Sequence, residues 1–181
     1  MRIFWHCFGV HAGENPDDIL TRKRREIVAN GGWTLWSFSY KKSRTIEIWT
    51  SEIRESGASD VFALCSKSKN ANDPKGQPAY AREFRSTGQQ HWQPIPDSIK
   101  IPHPFGDKLE ATAFYVSNVL YPSEVEIPSE FQWLCVREGD WRLDTVPTRG
   151  EYLLKPGKGT ALRPVSAVLV LREPYVVEIR R

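Results

Sequence analysis

The sequence lacks the long apolar runs and the cysteine pairs that mark membrane and disulfide-rich proteins. No hydrophobic stretch approaches the roughly 18 residues that a membrane helix requires. Its three cysteines, Cys7, Cys65 and Cys135, are widely spaced and lie in apolar stretches, so we interpret them as reduced core thiols. The N-terminus also lacks the apolar core and cleavage site of a signal peptide. These absences predict a cytoplasmic protein.

Motifs of common catalytic sites are missing as well. The four histidines occur without a CxxC or HExxH pattern, so no metal ligand is predicted. No serine lies in a nucleophile elbow, and the basic turn at residues 155–160 lacks the spacing of a phosphate-binding loop. We therefore predict no catalytic residue and no cofactor. One alternative remains, a small metal-dependent nuclease or hydrolase using carboxylates such as Asp140, Asp144 and Glu151.

The composition is that of a single globular domain with an excess of aromatic side chains. The 181 residues are 40% hydrophobic and 26% charged, with a net charge of +3. This length predicts one domain over residues 1–181, and the weak positive charge is compatible with a polyanion only if the bases cluster. Seven tryptophans are many for this length. Rings of that size anchor cores or bind flat ligands.

The stretch at residues 31–42 is the most distinctive in the chain. Two glycines precede four aromatic rings, and two lysines, Lys41 and Lys42, follow them. In an extended segment, Trp36, Phe38 and Tyr40 share one face and Trp33 the other. Such rings form a core, or one or two of them line a pocket for a flat ligand.

A strand, a helix and a basic surface are predicted before this stretch. The apolar residues 3–10 indicate a buried strand. Asn15 and Pro16 are typical of a helix start, and Gly31 or Gly32 of its end. One stripe of the helix is apolar, comprising Ile19, Leu20, Ile27 and Val28. The other side is basic, comprising Arg22, Lys23, Arg24 and Arg25, and it is either a solvated face or a phosphate-binding face.

The rest of the chain predicts a second helix and several strands. Helical spacing favours a helix over residues 43–56, and residues 60–67 indicate a strand. Residues 68–107 are rich in proline and amides, which is typical of a binding loop or lid. Further strands are predicted at 109–121, 131–137, from 141, 151–154, 165–171 and 175–179.

Aromatic residues recur beside bases and hydroxyls, which is the chemistry of nucleobase binding. Trp33 and Trp36 lie near Lys41, Lys42 and Arg44, Ser66 lies beside Lys67, and Tyr115 lies near Ser117 and Asn118. Stacking on a base contributes roughly 1–3 kcal/mol and needs only an exposed ring. Cations around such a pocket would hold phosphates and make binding salt-dependent.

The order of these segments resembles the PUA-like superfamily, and specifically its EVE and YTH branches. The tryptophan-led segment from Trp33 to Arg44 resembles the W-x-G-V-R-N-Y run of EVE domains. The strand that begins at Asp60 is similar to their G-D-x-V-x-F-Y-H-S. Residues 111–121 resemble their strand ending in Tyr-Pro, and Arg163-Pro164-Val165 resembles a late R-P-V. Gly-Val-Arg-Asn is absent after Trp33, and serine replaces glycine before Asp60.

The resemblance implies a fold and a function. The fold is α+β, with a mixed, strongly curved β-sheet or partial barrel and two or three helices packed on it. The function is to bind DNA or RNA and to seat a base, modified in the family, in an aromatic pocket. An effector protein encoded elsewhere often acts with such readers. A protein-interaction module with exposed tryptophans remains a third alternative.

Candidate site residues follow from the resemblance and from the clustering of bases. The predicted base-binding residues are Trp33, Trp36, Ser37, Tyr40, Ser66, Lys67, Ser117 and Asn118. The predicted phosphate-binding residues are Arg22, Arg24, Arg25, Lys41, Lys42 and Arg44.

Overall fold

The computed structural model describes most of the chain. It covers residues 3–39, 43–58, 61–68, 80–102, 110–126, 135–137, 140–143, 152–154 and 163–181. For residues 3, 38–39, 43–46, 110, 135–137, 140–143, 152–154 and 163, the description is limited to the backbone.

The described residues form two α-helices and eleven strands. The helices are α1, Pro16–Ala29, and α2, Ser43–Ser56. The strands are β1 Ile3–Phe8, β2 Thr34–Ser39, β3 Val61–Lys67, β4 Glu83–Ser86, β5 Gln93–Pro94, β6 Glu110–Leu120, β7 Cys135–Arg137, β8 Asp140–Leu143, β9 Tyr152–Leu154, β10 Arg163–Pro164 and β11 Ala167–Arg180. The two helices and the predicted strands before residue 121 are therefore confirmed. Neither helix is both long and apolar enough to cross a bilayer in the part of the chain described.

The ends of α1 are fixed by the residues that the sequence suggested. The Asn15 side chain accepts hydrogen bonds of 3.0 Å from the backbone N–H groups of Asp17 and Asp18. At the other end Gly31 has φ +66°, a conformation that glycine adopts without steric cost. The Gly32 N–H then donates to the Ile27 carbonyl at 2.8 Å. This is the bond of a Schellman C-cap, and it turns the chain from α1 into β2.

The main sheet is mixed and contains eight of the described strands. Its order is β2-β6-β11-β3-β1-β9, with β4 and β5 attached beside β11. The β1–β3 pair is parallel, whereas the other pairs are antiparallel. The α+β class and mixed sheet are thus confirmed. Among the described strands β2 and β9 remain separate ends of the strand path, so the sheet is not closed into a barrel.

A single long strand, β11, joins the two halves of the sheet. Its residues 167–171 pair with β3, and its residues 177–180 pair with β4 on the same side. Strand β6 pairs with both halves, with irregular register between Val170 and Val176. Two separate strands were predicted here, at 165–171 and 175–179. That prediction was wrong, because the backbone hydrogen bonds between β11 and β6 resume at Val176, after Glu173-Pro174. Tyr175, between them, has φ +63°.

Apolar cores form on both faces of the sheet. The larger core contains buried residues of both helices, including Leu20, Trp49 and Ile53, packed on β1, β3, β6 and β11. A smaller core contains Leu35, Ala81, Ile95, Ile99, Ile101, Ala111, Ala113, Val177 and Ile179. The second core is covered by residues 80–101. This part of the proline-rich segment is therefore fastened to the sheet and contributes two strands to it.

The buried side of α1 differs from the predicted apolar stripe. Val28 is 84% exposed, whereas Lys23 is only 4% exposed and Glu26 is 3% exposed. Residues 19, 20, 23 and 26 recur every three or four positions and therefore share one helix face. The apolar pattern was misread because an internally paired lysine and glutamate occupy the core-facing positions.

A separate three-stranded sheet contains β10, β8 and β7, in that order. Strands β7 and β8 form an antiparallel pair between Cys135 and Leu143. This agrees with the two arms predicted around residues 138–140.

Candidate functional site

Trp33 lies at the centre of a half-buried aromatic cluster. Its ring stacks on Tyr115 with the centroids 4.9 Å apart and the planes 12° from parallel. Phe84 lies 5.6 Å from Trp33 in a tilted arrangement. The strand register explains the contact between Trp33 and Tyr115. Leu35 of β2 pairs with Tyr115 of β6, so Trp33, two residues before Leu35, lies within reach of the Tyr115 ring. We call Trp33, Phe84 and Tyr115, with Arg172, the aromatic cluster.

Arg172 adds a cation to this cluster from the irregular part of β11. Its guanidinium lies 5.1 Å from the Tyr115 ring centroid and donates to the Tyr115 hydroxyl at 3.2 Å. The residue is exposed and lies where the register between β11 and β6 shifts. The cluster therefore combines flat rings with a positive charge. Sequence reasoning noted Tyr115 but missed Arg172 and Phe84, because only the pairing of β4 and β6 with β11 brings Phe84 to Trp33 and Arg172 to Tyr115.

Trp36 and Ser66, both predicted to bind a base, are buried. Trp36 is 3% exposed and packs edge-on against Phe8, with ring centroids 5.2 Å apart. The Ser66 hydroxyl accepts a 2.8 Å hydrogen bond from the indole N–H of Trp5. Both side chains therefore stabilise the interior in this structure.

The remaining described candidates lie at different places around the sheet. Lys67 forms a 2.7 Å ion pair with Asp17 at the start of α1. The Ser117 hydroxyl donates to the Val170 carbonyl at 3.1 Å, and the exposed Asn118 accepts from the backbone N–H of Val119. Ser37 is half-buried on β2. Among these residues only Trp33 belongs to the aromatic cluster.

Two of the three arginines predicted to bind phosphate on α1 are already paired with carboxylates. Arg22 donates to the Glu14 carboxylate through Nε and Nη2 and to the Glu26 carboxylate through Nη1. Arg24 pairs with Glu124, and the pairing raises the pKa of Arg24 and lowers that of Glu124. Arg25 is exposed. A phosphate would have to displace a carboxylate from Arg22 or Arg24.

The other predicted residues lie outside the described residues. These are Tyr40, Lys41 and Lys42, together with the side chain of Arg44. Of the carboxylates considered for a nuclease centre, Asp144 and Glu151 also lie outside the described residues, as does the side chain of Asp140. In the described part, no group of three His, Cys, Asp or Glu side chains has a metal-binding arrangement.

A buried ionic network connects α1 to β2 and to residue 100. Glu26 accepts from Lys23 Nζ at 2.7 Å, from the Thr34 hydroxyl at 2.5 Å and from the backbone N–H of Lys100 at 3.0 Å. Lys23 also donates to the Lys100 carbonyl at 3.0 Å. The network holds the segment that covers the smaller core against α1.

Burial changes the protonation of this network. Burial lowers the pKa of Lys23 to about 8, although the neighbouring Glu26 carboxylate opposes the shift. Burial alone would raise the pKa of Glu26, but the Lys23 ammonium and the hydrogen bonds from Lys23, Thr34 and Lys100 outweigh it. The pKa of Glu26 is consequently below its usual value.

We expect Lys23 to make unfolding pH-dependent above neutrality. The unfolded chain keeps this proton up to a pKa of 10.5, whereas the folded chain releases it at about 8. The Lys23 contribution to the free energy of unfolding should therefore rise between pH 8 and pH 10. Urea denaturation of the wild type and of Lys23→Met gives their free energies of unfolding at each pH. The value for the wild type should rise relative to that for Lys23→Met between pH 8 and pH 10. The exposed Arg25→Met is the control, and an equally flat difference for both variants would contradict the expectation.

Trp92 is the other half-buried tryptophan whose side chain is described. The guanidinium carbons of Arg85 and Arg180 lie 4.3 and 4.2 Å from its ring centroid. Arg85 is held by Glu178 at 2.5 Å and Arg180 by Glu83 at 2.6 Å. The four charges balance, and the contacts attach the segment after β4 to the end of β11. Trp92 therefore has cations on its ring in the present arrangement.

Cys65 fits the prediction of a core thiol. It is fully buried in the larger core. Burial and the nearby Cys7 raise the pKa of its thiol well above the usual range. A raised pKa disfavours the thiolate, which is the nucleophilic form.

Comparisons with known proteins give no assignment. No protein-family model matches the chain, no protein of curated function is significantly similar to it, and no solved structure matches it. The function must therefore be inferred from the geometry of the described residues.

Proposed function

We propose that the protein binds single-stranded DNA or RNA and holds one base, a modified one in the favoured case, against Trp33. The observation that carries the proposal is the half-buried Trp33 ring stacked on Tyr115, with the Arg172 guanidinium beside Tyr115. Trp33 is half-buried as a residue. A base added there would continue the column of rings, as bases do on exposed aromatic side chains.

The proposed fold type is PUA-like, with a partly curved open sheet. The order strand, helix, strand, helix, strand over residues 3–67 supports it, as does the position of Trp33 directly after α1. A reader of this type has no catalysis of its own and acts with an effector protein encoded elsewhere. Binding measurements with DNA and RNA test which of the two the protein binds.

Replacing Trp33 with alanine should weaken binding of a single-stranded oligonucleotide by roughly 5- to 150-fold. This range corresponds to the stacking contribution of one base, roughly 1–3 kcal/mol. Fluorescence polarisation with labelled DNA and RNA of one sequence, carrying plain, N6-methylated or 5-methylated bases, measures the effect. Trp33→Phe should retain most of the affinity because it keeps a flat ring.

Tyr121→Ala is the matched control for this experiment. Tyr121 is an exposed aromatic residue beside an arginine, with the Arg24 guanidinium 4.7 Å from its ring centroid. It lies outside the aromatic cluster, so its removal should leave the affinity within about twofold. Equal affinities of the wild type and Trp33→Ala would exclude the proposal. Cleavage of the oligonucleotide with added Mg²⁺ or Mn²⁺ would instead favour the hydrolase alternative.

A further inference from the structure

A surface groove lies on the segment that covers the smaller core. Its volume is about 380 Å³, and its lining includes Tyr80, Arg82, Ile95, Ile99 and Lys100. Pockets for small ligands span roughly 300–1,000 Å³ and combine an apolar lining with a few polar groups. The groove meets both conditions.

Among the described residues, two cations of the groove have no carboxylate partner. Arg82 and Lys100 are exposed, and neither side chain forms an ion pair with any described residue. Arg22, Arg24, Arg85 and Arg180, by contrast, are each paired with a glutamate. Asp97 is the acidic residue of the lining, so the charge of the groove is positive. Unpaired cations favour an anionic ligand, because no existing ion pair has to be broken.

The walls of the groove are fixed by backbone hydrogen bonds. The Ala81 N–H donates to the Ile101 carbonyl at 2.9 Å, and the Ile95 N–H donates to the Arg82 carbonyl at 2.8 Å. Lys100 is held through its own backbone, which donates to Glu26 and accepts from Lys23. The Lys100 side chain is therefore free of the network that positions it. Such preorganisation lowers the entropy lost on binding.

The groove and the aromatic cluster adjoin the same core. Ala81, Ile95 and Ile99 belong to the smaller core, and Trp33, Phe84 and Tyr115 pack against it. Both places therefore border the same core of the sheet. The flat surfaces of Tyr80, Pro94 and Pro96 suit a sugar or base, and Arg82 and Lys100 suit a phosphate.

The geometry points to a second nucleotide subsite in this groove, where Arg82 and Lys100 hold a phosphate and the lining holds its nucleoside. The subsite deepens the proposed function, because it would hold a neighbouring nucleotide of the strand bound at Trp33. It can also be tested without that function, with a mononucleotide as the ligand.

Adenosine 5′-monophosphate is the first probe. In spectra of isoleucine-methyl-labelled protein, it should shift the Ile95 and Ile99 signals, whereas adenosine and inorganic phosphate should shift them at much higher concentrations. The variant Arg82→Gln/Lys100→Gln should bind the nucleotide at least tenfold more weakly. The control Arg54→Gln/Arg181→Gln removes the same charge from exposed positions and should bind like the wild type. Equal responses to inorganic phosphate, or tighter binding of a hexaglutamate peptide, would overturn the assignment.

The salt dependence of oligonucleotide binding is the second readout. Each phosphate contact to a single strand contributes about 0.7 to the slope of log K against log salt. Because Arg82 and Lys100 hold one phosphate, Arg82→Gln/Lys100→Gln should lower the slope by about 0.7, and the control variant should leave it unchanged. If Arg82→Gln/Lys100→Gln left the slope unchanged while Trp33→Ala weakened oligonucleotide binding, the groove subsite would be rejected and the proposed function kept. Mononucleotide shifts without any oligonucleotide binding would keep the groove and reject the proposed function.

Discussion

Replacing Trp36 with alanine should lower the free energy of unfolding by about 3–5 kcal/mol, the usual cost of truncating a buried tryptophan. The ring is 3% exposed and packs edge-on against Phe8 in the larger core. Alanine would remove these contacts and leave a cavity between the sheet and the helices. Urea denaturation monitored by circular dichroism measures the loss.

Trp33→Ala is the comparison that gives this result its meaning. Trp33 is half-buried, so its truncation should cost clearly less stability than that of Trp36. The two variants should therefore separate a stability defect at Trp36 from a binding defect at Trp33. Equal losses of stability would show that Trp33 is a core residue too. In that case reduced binding by Trp33→Ala would not identify a contact with the ligand.

Replacing Glu26 with glutamine should destabilise the protein by about 3–5 kcal/mol. The change leaves the Lys23 ammonium buried without its 2.7 Å carboxylate partner, and breaking one side of a buried pair has costs of this size. Glutamine keeps the shape of the side chain, so the loss reports the charge more than the packing. Urea denaturation at pH 7 is the measurement.

Two further variants test the explanation for Glu26. Glu55→Gln changes an exposed glutamate of α2 and should alter the free energy of unfolding by less than about 0.5 kcal/mol. Lys23→Met combined with Glu26→Gln should recover part of the lost stability, because no buried charge then remains unpaired at residue 23. If the double variant were as unstable as Glu26→Gln, loss of the Thr34 and Lys100 hydrogen bonds would be the main cause.

Local chemistry made much of the fold predictable. The Asn15 cap, Pro16 and Gly31 determine α1 through their own backbone preferences, so its limits could be inferred without tertiary contacts. Continuous apolar runs likewise indicated β1, β3 and β6. The single strand β11 was not predictable, because Pro174 interrupts the local pattern and only pairing with β6 continues it.

The site was less predictable than the fold because it depends on long-range register. Trp33 could be nominated from its neighbours in the sequence, but its stacking on Tyr115 requires β2 to pair with β6. Lys23 and Glu26 have the composition of a solvated helix face, and only the contacts to Thr34 and Lys100 explain their burial. Arg82 and Lys100 gave no sequence signal, since the property that distinguishes them is that their side chains form no ion pair with a described carboxylate.

The position of β11 has a consequence for the order of folding. Residues 167–180 must pair with strands that begin near residues 61, 83 and 110 before either core can close. The loops closed by these pairings are long, and such contacts slow the search for the native topology. On the ribosome, β3 and β6 would therefore emerge well before the strand that lies between them, and a chaperone would meet their apolar surfaces uncovered.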